Sequence, residues 1–501
     1  MLNHRKTLCL LVLAVLSAVA AAQTEFKDIE SRVSEFTLAN GHKFVVLERH
    51  NAPVATFLTY ADVGAAQEVK GITGLAHLFE HMAFRGTTTV GTKDWAKEKV
   101  VLEKVEKAYY ALRAEKRKGD KADPARLKEL EQAFKDIQEE AGKLTNREEF
   151  GEIIERAGGR DLNAGTGEDM TVYFFSLPSN QAELWFFLES ERFRDPVFRD
   201  FYKERDVVME ERRLGESQPI GRLVEEFQAV AYKSHPYGEG VIGHMSDLQN
   251  LTTADGQAFF KKYYVPSNLT TVVVGDVNPK RIRELAEIYF GRLPSVPKPE
   301  PLRTVEPPQQ GEKRVALRLQ SQRILLMGYH KPDINHPDNA VYTALGSLLS
   351  EGRSSRLYRA LVRDKKVATQ AGGFPGFPGL KYPAMFVFIG FTAPGHTNQE
   401  VEQAIEAELE RLKNEPVSAE ELDGVKRRAR ASLLRQLDSN FVLGIQMARN
   451  QALTGDWRNL FRELDRINAV TPQDIQRVAK ATFTWNNKTV GTIDPIETAS
   501  K

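Results

Sequence analysis

The chain has 501 residues, room for two or three domains, and 41% of them are apolar, an ordinary globular share. Its 69 basic and 68 acidic residues leave a formal net charge of +1. That balance argues against nucleic acid or an anionic membrane surface as the main partner.

The first element is a processing signal. Arg5 and Lys6 make a basic start, and Leu8 to Ala22 (LCLLVLAVLSAVAAA) is an apolar run too short to span a bilayer comfortably. Ala20, Ala21 and Ala22 before Gln23 form a small-residue cleavage site, so residues 1–22 read as a secretory signal peptide. An uncleaved anchor is the alternative. The only cysteine, Cys9, lies within the run, so the mature protein would have none. It would rely on core packing rather than disulfides, and thiol catalysis is excluded. No later apolar segment is long enough to cross a membrane. The expected location is the periplasm, with full secretion as the other exported destination.

From Arg32 onward short strand-like segments alternate with longer helical ones. "KFVVLERH" (residues 43–50) and "ATFLTYADVG" (55–64) read as strands, and a helical pattern begins near Gly74. Residues 95–145 break the rhythm. Val101, Val105, Ala108 and Leu112, then Leu127, Leu130, Phe134, Ile137, Ala141 and Leu144, lie at heptad spacing on either side of "KGDKADP". The spacing predicts an antiparallel helical hairpin inserted at about residues 93–145, self-packed and largely solvated, or else a docking arm or active-site rim. "LNAGTGEDMTVYFFSLP" (162–178) predicts two strands and a turn, and two helices and the buried-type strand "LTTVVVGDV" (269–277) follow. Proline crowds residues 292–312, which reads as a linker at 293–312. It separates a first domain, residues 30–292, from a second, residues 313–500. The second half resumes with two strands, two helices, the Gly/Pro-rich "GGFPGFPGL" (372–380), a further strand and a run of helices. "GGFPGFPGL" reads equally as a substrate-facing loop or a plain turn cluster. The shared strand–helix order hints at duplication.

The chemistry concentrates in "GLAHLFEHMAFRGT" (Gly74 to Thr87). On a helix at 100° per residue, Leu75, Leu78, Phe79 and Met82 make one apolar stripe, and His77, Glu80 and His81 cluster roughly 150° away. His77 and His81 are one turn apart, so their imidazoles can converge on one ion. Zinc suits neutral imidazole and carboxylate oxygen and tolerates an open position. Glu80, one residue before the second histidine, is placed to take a proton from water at such an ion.

His-x-x-Glu-His is the inverted zincin motif, and the stretch around it closely resembles the active-site helix of the pitrilysin family, which includes insulin-degrading enzyme and mitochondrial processing peptidase. "LNAGTGEDMTVYF", "KERDVVMEERR", "HPYGEGVIG", "YYVPSNLTTVVVGDV" and "EGRSSRLY" resemble further landmarks, so the likeness covers most of the chain from about residue 30 apart from the helical insertion. It implies an α+β fold of two homologous domains, each a mixed or antiparallel sheet with helices packed on it. It also implies an inverzincin-type zinc endopeptidase of the two-domain, processing-peptidase-like bacterial branch, with one zinc per chain.

A catalytic zinc needs a third protein ligand. Glu204 and Glu211 lie seven residues apart, about 10 Å along a helix, too far for both to bind one metal. The resemblance assigns Glu211 to zinc and Glu204 to a supporting catalytic role, in which it could orient a ligand histidine through its other ring nitrogen. Glu210 is the rival ligand if the helix phase slips by a residue. The longer spacing from His81 to Glu211 than is usual in the family is accounted for by the hairpin insertion. The resemblance further implies that an extended peptide adds as a strand along "LNAGT", with Asn163 and Ala164 lining the site; Asn163 as a simple turn residue is the alternative.

One family feature is missing. Aligned on Leu361, the expected Arg and Tyr that hold the substrate carbonyl fall on Val362 and Thr369, and Arg363 would substitute only with a register shift. The expectation is a homodimer, or a heterodimer with a related chain that supplies the pair. Against the endopeptidase stand two other readings, a non-catalytic assembly subunit and an exported protein with structural zinc. The intact His77, Glu80, His81 and Glu211 set argues against the first, and Glu80 against the second.

Overall fold

The computed structural model describes residues 28–496; the expected signal peptide lies outside them. Two sheets organise the chain. The first contains β1 (Val33–Thr37), β2 (Lys43–Glu48), β3 (Val54–Ala61), β4 (Arg160–Thr166), β5 (Thr171–Pro178) and β6 (Leu269–Gly275), in the order β1-β2-β6-β3-β5-β4. The second contains β7 (Lys313–Leu319), β8 (Ile324–Lys331), β9 (Ala368–Phe377), β10 (Ala384–Thr392) and β11 (Lys488–Pro495), in the order β7-β11-β8-β10-β9. β2 runs parallel to β6 and β7 to β11, and every other neighbouring pair is antiparallel. Apart from β1 the two orders correspond strand for strand, so the halves are homologous in topology and β9 is the counterpart of β4. Sheet and helix together give the α+β class, in two related units.

The helices that position the site and the core are α1 (Leu75–Met82), α2 (Trp95–Lys116), α3 (Pro124–Lys143), α4 (Phe201–Ser217), α5 (Pro219–Ala231), α6 (Asn339–Ser350), α7 (Ala419–Leu437), α8 (Asn440–Thr454) and α9 (Asn459–Ala469). Among the described residues no helix is long and apolar enough to cross a membrane.

Strand sequence follows strand position. β3 (VATFLTYA) is central and is buried at seven of its eight positions, so it is nearly continuously apolar. β7 (KRVALRL) is an edge strand and alternates exposed with half-buried residues. The halves also cover each other. α5, from the first half, lays Leu223, Phe227 and Ala231 on the second sheet. α8, from the second half, lays Leu443, Met447 and Ala448 on Val45, Leu58, Val272 and Val274 of the first sheet. The proline-rich stretch between the halves has no regular structure from 294 to 310, yet it is fastened down. The Glu306 carboxylate accepts the backbone N–H groups of Lys233, Ser234 and His235 at 2.7, 2.8 and 3.0 Å.

α2 and α3 pack on each other, capped at their starts by Asp94 and Asp123. The two helices are not equally solvated. Val101, Val105, Tyr109 and Leu112 of α2 are buried, whereas α3 buries only Ala141. The Tyr109 ring lies 3.9 Å from that of Tyr202 at the start of α4. The inner helix of the hairpin is therefore part of the first core.

"GGFPGFPGL" is strand over most of its length and turn only at its end. Residues up to Phe377 belong to β9, an edge strand of the second sheet, a position that tolerates Pro375. Asp169, in the β4–β5 turn, accepts the N–H groups of Leu380 and Lys381 at 2.7 and 3.0 Å and the Tyr237 hydroxyl at 2.6 Å, which pins the turn after β9 to the first half.

Candidate metal centre

α1 starts at Gly74, whose φ of 84° is left-handed and whose missing side chain matters: a Cβ there would lie 2.4 Å from the Ile242 carbonyl oxygen. The Glu68 carboxylate accepts the N–H groups of Gly74 and Ala76 at 2.7 and 2.6 Å, supplying the acceptor that a helix N-terminus requires. Burial pushes the Glu68 carboxyl up to about 8, against the pull of those N–H groups. Asp247 accepts Gly71 and Thr73 N–H just before the helix. Arg212 of α4 donates to the Gly243 carbonyl at 2.6 Å, so one loop holds the start of α1 and the middle of α4 together.

Leu75, Ala76, Leu78, Phe79 and Met82 are buried, while His77, Glu80 and His81 are only half-buried. The two imidazole rings stand 4.9 Å apart, nearly perpendicular. Across from them Glu211 on α4 places Oε2 at 3.8 Å from His77 Nε2 and 3.6 Å from His81 Nε2. One donor atom from each residue lies within 4.8 Å of the other two. Tetrahedral ligation at about 2.1 Å spaces donors roughly 3.4 Å apart, so small rotamer shifts close this set on an ion. Burial lowers the His77 pKa, which favours the neutral imidazole that ligation needs. The set fits zinc in number, chemistry and spacing, with a fourth position left open. Glu210 points elsewhere and pairs with Arg213 at 2.8 Å.

Glu204 sits about two turns earlier on α4 and is buried. Its carboxylate is 3.8 Å from His81 Nδ1 and 2.5 Å from the Arg85 guanidinium. Burial would raise this carboxyl, but His81 and Arg85 hold it below its ordinary value. Reciprocally, Glu204 raises His81. The Glu80 carboxylate makes no hydrogen bond or ion pair with any described residue.

β4 is the edge strand of the first sheet and lies beside α1. Asn163 on it is exposed, and its Oδ1 accepts the Ala164 N–H at 2.8 Å. Val362 lies in a π-helical turn, Tyr358–Asp364, and Thr369 on β9. Arg363 is exposed and turned to Asp364 at 2.6 Å. None of the three bonds to a residue of the centre.

The sequence pattern gave little hint of the surrounding contacts. Arg199, fully buried, donates to Glu98 of α2 at 2.8 Å and to the carbonyls of Arg85, Thr87 and Val90 at 2.6, 2.8 and 3.1 Å. It thus fixes the loop after the second histidine to the hairpin base and to the start of α4. Glu68, Arg85, Asp247 and Arg199 are acids and arginines among many, and most of their partners are far away in sequence. The one local clue was Glu68, a few residues before a helix start.

Comparison with known proteins agrees with this architecture. Residues 43–107 match the model described as Insulinase (Peptidase family M16), and residues 250–429 match the Peptidase M16 inactive domain. The zinc protease PqqE of Helicobacter pylori is 30% identical over 86% of this chain and 84% of its own. The crystal structure of a protease from Helicobacter pylori superposes with a TM-score of 0.77 at 27% identity, covering 92% of this chain and 99% of that one. The first half of the periplasmic protease PqqL from Escherichia coli shares the fold, with a TM-score of 0.68 at 18% identity over 93% of this chain and 92% of that one. The chain belongs to peptidase family M16, with a two-domain pitrilysin-like fold and zinc proteases among its relatives.

Proposed function

We propose that this chain is a zinc-dependent endopeptidase acting on peptides or unfolded polypeptides. The observation that carries the reading is the convergence of His77, His81 and Glu211 beside the unpaired Glu80. The zinc-protease names of the relatives support it.

His77, His81 and Glu211 would hold the metal. Bound zinc supplies a Lewis acid at the scissile carbonyl and makes nearby water more acidic. Glu80 takes the proton of the attacking water and returns it to the leaving amine. Glu204, clamped by Arg85, fixes the ring of His81 from its Nδ1 side. The β4 edge, with Asn163 and Ala164, offers backbone groups to an extended substrate as an added strand, a mode that reads backbone shape more than side chains. The match of residues 250–429, most of them in the second half, to a domain described as inactive suits a segment that contributes none of these ligands.

Replacing Glu80 separates this reading from its rivals. Glu80→Gln retains one zinc per chain and loses cleavage by at least about 100-fold, while chelation abolishes wild-type cleavage. A chain that holds zinc but shows no chelator-sensitive cleavage is an assembly subunit or a structural zinc protein instead.

On this reading the chain acts with a partner, a second copy or a related subunit, because Val362 and Thr369 stand where the family resemblance leads one to expect the carbonyl-holding Arg and Tyr. An exported, periplasmic setting fits the leader-like start of the sequence and the periplasmic relative. Sedimentation across a dilution series, with peptidase assays on the same samples, reads the partnership: activity per chain falls as the assembly dissociates. Full activity in a monomer overturns it.

A further inference from the structure

Three parts of the molecule meet at residues 167–170, the turn between β4 and β5. Asp169 in this turn is buried, and its carboxylate takes three neutral donors. Oδ1 accepts the Tyr237 hydroxyl at 2.6 Å, and Oδ2 accepts the Leu380 and Lys381 N–H groups at 2.7 and 3.0 Å. Tyr237 is fully buried, and its hydroxyl oxygen in turn accepts the Tyr382 N–H at 3.2 Å. Gly379 makes this approach possible, because a Cβ there would overlap both the Tyr237 hydroxyl and the Asp169 carboxylate. "HPYGEGVIG" and the end of "GGFPGFPGL" thus converge on one acid, and neither supplies a metal ligand.

On its other side the turn holds the approach to the metal helix. The Gly167 and Glu168 carbonyls accept the Ala65 and Ala66 N–H groups at 3.1 and 2.9 Å. Glu68, the acid at the start of α1, follows directly in the chain. β4 itself has a strand neighbour on one side only, β5, and that pairing is irregular between Arg160 and Asn163. An edge that accepts an added strand must be ordered beforehand, or the incoming peptide bears the cost of ordering it. The anchored turn lies a few residues beyond Asn163 and Ala164 and is the fixed end of that edge.

We infer that Asp169 is a positioning residue: through it the second half holds the β4–β5 hairpin, and with it the substrate-pairing edge, in place beside α1. Asp169 touches neither the metal ligands nor the β4 edge itself. The role rests on the peptidase reading, since it is the peptide that uses the edge, but the order of β4 is measurable without it. With the three bonds gone, the hairpin keeps the pairing geometry for a fraction of the time, and the apparent affinity for an extended peptide falls by that fraction. Hydrogen bonds to a buried carboxylate shift such an equilibrium by about tenfold or more.

Asp169→Ala and Asp169→Asn in the zinc-loaded full chain test this role. A peptide long enough to pair along β4 is titrated on a Glu80→Gln background, where it is not cleaved, and its turnover is followed with Glu80 in place. Asp169→Ala should raise Kd and KM about tenfold with kcat within about twofold of the unaltered chain. It should retain one zinc and speed amide hydrogen exchange at residues 160–166. Asp169→Asn, which keeps an acceptor for Leu380 and Lys381, recovers part of the loss. Tyr237→Phe removes one of the three bonds and gives a smaller change in the same direction, which decides the matter should Asp169→Ala unfold. Unchanged Kd and unchanged β4 exchange in folded, zinc-loaded variants overturn the role. So does a loss of zinc and kcat in step with affinity, or faster exchange across the whole first sheet, either of which marks Asp169 as holding the fold only. An unaltered chain that binds no peptide overturns it too. Binding without cleavage by the unaltered chain counts against the peptidase reading alone, and weaker binding by Asp169→Ala then still supports the role.

Discussion

Arg199 shows how much one side chain decides about this centre. Nε and both terminal nitrogens are engaged, by the two oxygens of Glu98 and by three carbonyls of the loop that follows the second histidine. Neither Arg199 nor Glu98 is exposed at all, so each neutralises a charge that would otherwise be stranded. Arg199→Met leaves Glu98 buried and alone, and the expected cost is about 3–5 kcal/mol of stability, read from urea denaturation. Adding Glu98→Gln to that variant restores part of the loss, because the uncompensated charge is gone. Zinc affinity should fall in the single variant as well, since the arginine holds Arg85, and Arg85 holds Glu204.

At the scale of elements, α1 is set by its ends more than by its length. Eight residues make a marginal helix in isolation. Here the Glu68 carboxylate caps its N-terminus and the apolar stripe is wholly buried. Gly74→Ala forces a Cβ to within 2.4 Å of the Ile242 carbonyl oxygen in a left-handed conformation, so a loss of at least ~1–2 kcal/mol is expected, seen as a lower denaturation midpoint. The variant should also bind zinc more weakly, because the histidines ride on that helix. Periodicity was enough to predict the face of α1 and the hairpin of α2 and α3. It could not tell that α2 belongs to the core, since a heptad seam looks the same whether it meets one helix or two. The strand at Gly372–Phe377 was hidden because glycine and proline disfavour central strands but are tolerated at an edge.

Across the whole molecule, each half lends a helix to the other's sheet. Leu223 and Phe227 of α5 sit on the second sheet, and Leu443 and Met447 of α8 on the first. Separating the halves would bare both apolar faces, at roughly 25 cal/mol for each Å² exposed. A protease nick between residues 294 and 304, where most side chains are exposed, should therefore leave the two fragments together in gel filtration. The nicked chain should also melt in one cooperative transition. Fragments that elute separately, each folded, would show that the shared core is minor.

By itself the sequence determined the chemistry that is local. His77, Glu80 and His81 share one helix, so a spacing of three and four residues brings them to one face whatever the rest of the chain does. The alternation of strands and helices likewise conveyed a mixed chain with a repeated strand–helix order, because those periods are written residue by residue, while the α+β class of two homologous domains came from the family resemblance. Only tertiary structure decided which glutamate of α4 meets the histidines, since Glu204, Glu210 and Glu211 differ by a rotation that packing sets. The same holds for Glu68 and Arg199, whose partners are brought in by chain folding. Electrostatic and steric fit between distant segments leaves no period in a sequence, so it becomes visible only when the chain is closed.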